Sequence, residues 1–255
     1  MAKLLVLATG PLLEAGVGLF GAHGLRTWHL TRPLLDAGHD VRLFTMPIYD
    51  PADPSQRKAG VVRRSYQDFA YHAFTNCDDR HNIACLEEEA RRFSPDALIG
   101  VNAYPCAVLS KVNCRAPLWA DLNGSATIEG QIKARNDGSD ALLGHAWDME
   151  KTSLRRADRF SAVSERQMYL LCGQLAAVGR MNRHTFDYPF VSVIPNAYNP
   201  VFTDPAAARS GTLRIKGGLV PDDAFVLLWS GGYNAWTDYA MLQRALEMAM
   251  EACPR

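Results

Sequence analysis

The sequence LLVLA at residues 4–8 is a continuous apolar run, as expected of a strand that is covered on both faces. DVRLFT at residues 40–45 is typical of a second strand. Between them lies a glycine-rich loop, then a helix from about Leu25 to Ala37, with Gly38 at the position of a C-cap glycine. This order predicts a βαβ unit, the building block of a parallel sheet with right-handed crossovers.

The alternation of strands and helices continues along the chain. Residues 51–80 are polar and irregular, with a short strand near Val61. Further strands are predicted at 97–101, 117–122, 159–164 and 191–194, and helices at 83–93, 105–112 and 143–157. Roughly six strands with helices between them predict a doubly wound α/β fold with a parallel, Rossmann-like sheet.

A second domain is predicted to follow a linker-like stretch. A strand at 224–229, a tight glycine turn and a helix at 239–252 restart the pattern, which divides the chain into domains at 1–205 and 206–255. One βα unit cannot bury its own apolar faces. We therefore expect either that this chain is a fragment that lacks the rest of the second domain, or that the unit docks on the first domain as an extra layer.

Composition excludes several classes of protein. Lys+Arg and Asp+Glu both total 27, which argues against broad binding to nucleic acid. The six cysteines form no CxxC pair, which favours reduced thiols and a cytoplasmic location. Cys77 and Cys85, with His72 and His81 nearby, match no standard zinc spacing, so no metal site is predicted. No apolar run approaches the length of a membrane span, which still leaves room for peripheral membrane contact.

The first loop carries a possible phosphate site. Its glycines Gly16, Gly18 and Gly21 match G-x-G-x-x-G, but the preceding strand ends too early for a dinucleotide fingerprint, and no acid closes the second strand. Together with Gly24, these glycines let backbone N–H groups approach a phosphate or sugar at a helix start. Arg26 either adds a positive charge there or is a solvated helix residue.

A second loop, at residues 230–238, also follows an apolar run and precedes a helix. Its Gly231 and Gly232 permit the same approach of a phosphate, since ligands bind at the carboxyl ends of strands in open α/β sheets. Trp236 either stacks on a base or sugar or fills the gap between domains, and Asp238 caps the following helix.

Three segments resemble the GT-B glycosyltransferases of family 4, which are retaining enzymes that use nucleotide sugars. GLRTWHLTRPLLDAGHDV (24–41) is similar to their opening helix and second-strand entry, and VIPNAYN (193–199) is similar to the I-P-N-G-x-D segment that ends their first domain. LLWSGG (227–232) with YNAWTD (233–238) resembles the first strand and the tryptophan-rich turn of their second domain. These matches stand in family order and bracket nearly the whole chain.

The resemblance also assigns site residues. The acceptor would lie near Gly21, Gly24, Asp121 and Asn123, and Asp121 either positions it or only closes its strand end through hydrogen bonds. Asp121 and Asn123 are the implied catalytic residues. The implied substrate-binding residues are Gly16, Gly18, Gly21, Gly24, Arg26, Gly124, Gly231, Gly232, Asn234 and Trp236.

The chain departs from the family pattern at several of these places. Gly232 and the Trp236 region stand where many relatives carry the basic residues that hold the diphosphate, and Asp121, Asn123 and Gly124 stand where the first domain often offers a histidine. The two-glutamate motif that grips the donor would lie beyond Arg255, so the isolated chain is expected to be inactive.

The resemblance implies transfer of a sugar from a nucleotide sugar to a glycan, lipid or small-molecule acceptor, with no cofactor and no metal. Two alternatives stay open. One is a degenerate, non-catalytic glycosyltransferase-like binding protein, and the other is an NAD(P)-binding Rossmann enzyme.

Overall fold

The computed structural model describes residues 1–12, 22–50, 52–198, 220–229 and 237–252. These residues form eight strands: β1 (Lys3–Thr9), β2 (Asp40–Met46), β3 (Val61–Tyr66), β4 (Phe69–Phe74), β5 (Ala97–Val101), β6 (Leu118–Asp121), β7 (Arg159–Ala162) and β8 (Val191–Val193). The α-helices are α1 (Ala22–Asp36), α2 (Asp79–Phe93), α3 (Ala103–Leu109), α4 (Ala126–Asp137), α5 (Ala141–Arg156), α6 (Glu165–Ala177) and α7 (Tyr239–Ala252). A short 3₁₀ helix covers Pro54–Arg57.

The strands form one sheet in the order β3-β4-β2-β1-β5-β6-β7-β8. Every neighbouring pair is parallel except the β3–β4 hairpin. The predicted doubly wound α/β fold is therefore confirmed.

Both faces of the central strand are buried. Leu5 and Leu7 of β1 belong to one apolar cluster, whereas Leu4 and Val6 belong to another. Because successive strand residues point to opposite faces, a fully apolar run such as residues 4–8 fits a strand with a covering layer on each side. The same argument accounts for β5.

The βαβ unit closes as the sequence predicts. Gly38 follows α1 with a φ of +78°, and the backbone N–H of His39 donates to the carbonyl of Leu34 at 3.1 Å. This is the left-handed helix end that glycine favours. The predicted C-cap is confirmed.

Several elements differ from the prediction. The polar stretch around residues 51–80 holds the β3–β4 hairpin, of which only the start of β3 was expected. Helices α4 and α6 were not expected, and α2 begins earlier, where Asp78 accepts a hydrogen bond from the backbone N–H of His81.

The predicted strand at residues 224–229 is wrong, because this segment is irregular. Phe225, Leu227 and Leu228 expose 72%, 60% and 76% of their surface. An apolar run predicts burial, but it forms a strand only where a neighbouring strand supplies the ladder of hydrogen bonds. The helix predicted after it is confirmed as α7, and the Asp238 carboxylate accepts from the N–H of Met241 at 2.8 Å, as a helix cap does.

The chain divides into two compact units. One consists of Met1–Thr127 and Gly144–Ala197, and the other consists of Ile128–Leu143 and Tyr198–Arg255. The predicted domain boundary at 205/206 lies outside the described residues and stays a prediction. Among the helices that the structure describes, none combines the length and apolar character that crossing a membrane requires.

Candidate functional site

The connections of the sheet run in opposite directions on the two sides of β1. The chain builds β2, β4 and β3 on one side of this strand and β5 to β8 on the other. In open α/β sheets the crevice at the carboxyl ends of the two strands at such a point is where ligands bind. Here those strands are β1 and β5, which end at Thr9 and Val101.

A buried ion pair lies at this edge of the sheet. The guanidinium of Arg26, from the second turn of α1, donates to both carboxylate oxygens of Asp121, through Nη2 at 2.7 Å and Nε at 3.0 Å. The exposed fraction is 3% for Arg26 and zero for Asp121. The alternative that Arg26 is a solvated helix residue is therefore wrong.

The remaining contacts of this pair extend it across the sheet. The hydroxyl of Ser161 on β7 donates to Asp121 Oδ1 at 2.5 Å and accepts from the indole N–H of Trp119 at 2.9 Å. Arg26 Nη1 also donates to the carbonyl of Pro195 at 2.9 Å. Asp121 thus closes its strand end through hydrogen bonds, and its predicted contact with an acceptor stays a prediction.

His29 lies one turn further along α1. Burial, and then the positive charge of Arg26, lower the pKa of this imidazole below its ordinary value. Its Nε2 atom is buried and has no hydrogen-bond partner among the described residues. The helix that follows the glycine loop therefore keeps a neutral imidazole beside a paired guanidinium.

Asn102 occupies the one-residue connection between β5 and α3. Its backbone has φ +75° and ψ 157°, a region that only glycine adopts readily. The sharp turn is imposed because α3 folds back closely on β5, where a Cβ added to Gly100 would lie 2.8 Å from the sulfur of Cys106. The backbone N–H of Asn102 donates to the carbonyl of Asp121 at 2.9 Å.

The side chain of Asn102 is left without partners. The residue exposes 6% of its surface, and neither its amide oxygen nor its amide nitrogen has a hydrogen-bond partner in the described part of the chain. A buried amide without partners costs about 1–3 kcal/mol, and strain in this backbone region costs roughly the same. Two costs at one residue, at the switch point of the sheet, make Asn102 a candidate ligand-binding group.

Asn123 lies in the loop after β6. The residue is half-buried, and its buried Oδ1 atom also lacks a partner among the described residues. The predicted site residues Asn123 and Gly124 thus begin a loop that leaves the same edge of the sheet as Asp121 and Asn102.

That loop is fixed by the buried carboxylate of Glu150. Oε1 of Glu150 accepts from the hydroxyl of Ser125 at 3.0 Å and from the N–H of Thr127 at 3.3 Å. Oε2 accepts from the hydroxyl of Thr127 at 2.6 Å and from the amide of Gln174 at 3.0 Å. Glu150 exposes 2% of its surface, and its hydrogen bonds join α5 and α6 to the loop.

Gly24 has a packing reason to be glycine. A Cβ at this position would lie 2.0 Å from the carbonyl oxygen of Pro11. The glycine therefore lets the backbone after β1 pass directly against the first turn of α1. Its predicted contact with substrate stays a prediction.

The other predicted site residues fall outside the described residues. They are Gly16, Gly18, Gly21, Gly231, Gly232, Asn234 and Trp236.

Sequence reasoning did not select Asn102 or Glu150. Asn102 had a usable signal, because it is the polar residue that directly follows the buried strand ALIGV (97–101). Glu150 had none, since its partners come from residues 23 to 25 positions away in the chain. Among the residues that the structure describes, no three His, Cys, Asp or Glu side chains come together as a metal site.

No protein-family model matches the chain, and no curated protein matches its sequence. Among solved structures, sucrose-phosphate synthase from Thermosynechococcus elongatus is similar, with a TM-score of 0.55 and 14% identity over 78% of this chain and 49% of that one. The catalytic domain of starch synthase IV from Arabidopsis thaliana, bound to ADP and acarbose, gives a TM-score of 0.46 and 15% identity over 80% of this chain and 53% of that one.

The likeness to sucrose-phosphate synthase shows that the fold is the Rossmann-like α/β type of a GT-B protein. The chain spans about half the length of the solved structures that it matches.

Proposed function

We propose that this chain is part of a glycosyltransferase that moves a sugar from a nucleotide sugar to an acceptor hydroxyl, as the retaining GT-B enzymes of family 4 do. The fold shared with sucrose-phosphate synthase supports the reaction class. The observation that carries the site is Asn102 at the switch point of the sheet, which has a strained backbone and a side-chain amide without a partner among the described residues.

The chemistry at Asn102 suits a sugar. A carboxamide both donates and accepts hydrogen bonds, as a sugar hydroxyl does. Asn123, whose amide oxygen also has no partner in the described part of the chain, offers a second such group in the loop after the neighbouring strand. The two amides would orient hydroxyls without adding charge to the site.

The diphosphate of the donor would lie against backbone N–H groups of a glycine loop. The sequence offers Gly16, Gly18 and Gly21 in one unit and Gly231 and Gly232 in the other as candidates. In the reaction, the bond between the anomeric carbon and the diphosphate oxygen breaks, a bond to the acceptor oxygen forms, and the acceptor proton leaves with the phosphate. Hydrogen bonds to the leaving phosphate stabilise its developing charge, and we propose that no metal takes part.

The acceptor would be a glycan, a lipid or a small molecule that binds at the carboxyl edge of the sheet. We propose a cytoplasmic enzyme. Asp121 and Arg26 would support the site structurally. Because each neutralises the other's buried charge, they would hold the start of α1 and the end of β6 in place.

The experiment is acceptor-dependent release of nucleoside diphosphate by the gene product as its source makes it. UDP-glucose, GDP-mannose and ADP-glucose are supplied with a mixture of saccharide and lipid acceptors. We expect release from at least one donor, a loss of about tenfold or more in Asn102→Ala, and no loss in the exposed control Asn113→Ala.

Two results would contradict the proposal. Tight binding of NADH or NADPH without any release of nucleoside diphosphate would favour the NAD(P)-binding enzyme. Binding of nucleotide sugars without turnover in any combination would favour the non-catalytic, glycosyltransferase-like binding protein.

A further inference from the structure

A cavity of about 430 Å³ opens at the carboxyl ends of β2 and β4, apart from the Asn102 position. Its floor is apolar and well packed, since Met46 exposes 1% and Phe74 exposes 3% of their surface. Pro11, from the segment after β1, completes the apolar lining. The volume lies within the range of small-molecule sites, about 300–1,000 Å³.

One wall of the cavity is the edge strand β3. Val62 and Arg64 line the cavity, and the residue between them points to the opposite face because the side chains of a strand alternate. Val62 is 42% exposed. The wall thus offers the apolar side chain of Val62 beside Arg64, whose side chain already interacts within the chain.

The facing wall is the 3₁₀ turn that contains Asp53, Ser55 and Gln56. The amide nitrogen of Gln56 donates to the carbonyl of Ile48 at 3.0 Å, and its oxygen accepts from the N–H of Asp50 at 3.1 Å. Gln56 therefore holds this wall in place by cross-linking the turn to the segment before it.

Asp53 presents a carboxylate to the cavity. One oxygen accepts from the N–H of Ser55 at 2.8 Å, and among the described residues the other has a single long contact of 3.4 Å, with Gln56. Hydrogen bonds from the Ser55 side chain and backbone lower the pKa of this carboxyl below its ordinary value. An ionised carboxylate has about four acceptor sites, so it retains room for the hydroxyls of a ligand.

The lining selects a class of ligand. An apolar floor suits the C–H face of a sugar ring, while the Asp53 carboxylate at the rim can accept hydrogen bonds from its hydroxyls. Because the Asp53 carboxylate repels an anion and needs hydrogen-bond donors, the lining favours a neutral polyhydroxylated ring over a phosphate or an apolar molecule.

The position of the cavity sets the size of that ligand. β2 and β5 are separated by β1 alone, and two strand spacings are about 10 Å. We propose that the cavity binds the distal ring of a neutral saccharide acceptor, so that the acceptor has at least two sugar units, one of which lies at Asn102. This inference rests on the proposed function.

The test is calorimetric titration of the protein with sucrose, maltose, lactose and maltotriose. Val62→Trp fills the cavity from an exposed edge strand that tolerates aromatic residues, and Asp53→Asn removes the charged acceptor. The matched control is Val61→Trp, at the neighbouring exposed position on the opposite face of β3. All variants are first checked for an unchanged thermal midpoint.

We expect at least one of these saccharides to bind, with an affinity about tenfold or more lower in Val62→Trp and in Asp53→Asn, and unchanged in Val61→Trp. Failure of all of them to bind, or wild-type affinity in Val62→Trp, would overturn the inference. Saccharide binding that Val62→Trp abolishes, in a gene product that turns over no nucleotide sugar, would leave the cavity assigned and refute the proposed function. Turnover of a nucleotide sugar by the gene product, together with unaltered saccharide binding in Val62→Trp, would refute the assignment of the cavity and leave the proposed function standing.

Discussion

Arg26 and Asp121 lie 95 residues apart in the sequence and form a bidentate ion pair in which both side chains are almost fully buried. The pair joins the helix after the glycine loop to the end of β6. It also joins both to the segment after β8, because Arg26 donates to the carbonyl of Pro195. The start of α1 and the ends of β6 and β8 are therefore joined through one guanidinium.

Asp121→Asn is predicted to destabilise the protein strongly. The substitution keeps the shape of the side chain but leaves the Arg26 charge buried without a counter-ion, which costs about 3–5 kcal/mol. The control is Asp36→Asn, which breaks an exposed pair with Arg32 and is expected to cost less than about 1 kcal/mol. Urea denaturation measures both, and equal effects would show that the buried pair is no more important than a surface one.

Gly24→Ala is predicted to destabilise a helix that alanine would ordinarily favour. The new methyl group would meet the carbonyl of Pro11 at 2.0 Å, and the strain is expected to cost about 1–3 kcal/mol. Gly173→Ala, at an exposed position in α6 with nothing within 4 Å of the added carbon, should instead stabilise by about 0.5–1 kcal/mol. Thermal denaturation measures whether each substitution raises or lowers the stability of the protein. A stabilising Gly24→Ala would disprove the close approach of the Pro11 carbonyl to α1.

Glu150→Ala is predicted to loosen the loop that carries Asn123 and Gly124. The hydroxyls of Ser125 and Thr127 and the amide of Gln174 would lose their buried acceptor, at a cost of about 1–3 kcal/mol. Hydrogen exchange should quicken at the N–H of Thr127, which donates to this carboxylate. Glu88→Ala, on the exposed face of α2, serves as the control. Unchanged exchange at Thr127 would count against the network.

Stability is predicted to fall as the pH drops through the range where histidine titrates. The ring of His72 stacks on Phe44 with centroids 4.8 Å apart. Its burial lowers its pKa, the positive charges of Arg42, Arg63 and Arg92 act in the same direction, and Glu89 opposes them. The unfolded chain therefore takes up the proton at higher pH, near 6.5, so the contribution is complete above that pH and is lost below it.

His72→Asn should consequently flatten the dependence of the unfolding free energy on pH between about 7.5 and 5.5, without removing the part that His29 contributes. Denaturation at several pH values measures the slope. An identical slope in the variant and the wild type would show that His72 does not titrate differently in the folded state.

The buried strands could be predicted from the sequence, whereas several elements outside the centre of the sheet could not. LLVLA at residues 4–8 and ALIGV at 97–101 are apolar throughout, so burial and strand structure could be predicted together. β4 has the sequence FAYHAF, whose polar His72 obscures the pattern, and α4 has few apolar residues to mark a face. The apolar segment at 224–229 misled for the opposite reason, because hydrophobicity does not supply a neighbouring strand.

The candidate site was predictable in location and not in its contacts. The resemblance to the GT-B glycosyltransferases selected Asp121 and Asn123, which lie at the end of β6 and directly after it. The pairing of Asp121 with Arg26 depends on the packing of α1 against the sheet, and the strain at Asn102 depends on how tightly α3 returns to β5. Neither follows from local sequence, because both are set by tertiary structure.

The most direct test of the account is to measure stability and sugar transfer together in Asn102→Gly. Glycine adopts the backbone conformation of Asn102 without strain and removes a buried amide that has no partner among the described residues. The variant should therefore unfold with a free energy about 1 kcal/mol higher than the wild type, and its gene product should release nucleoside diphosphate about tenfold more slowly or worse. A variant that is more stable and transfers sugar at the wild-type rate would show that Asn102 is only a strained turn, and it would contradict the placement of the site at this edge of the sheet.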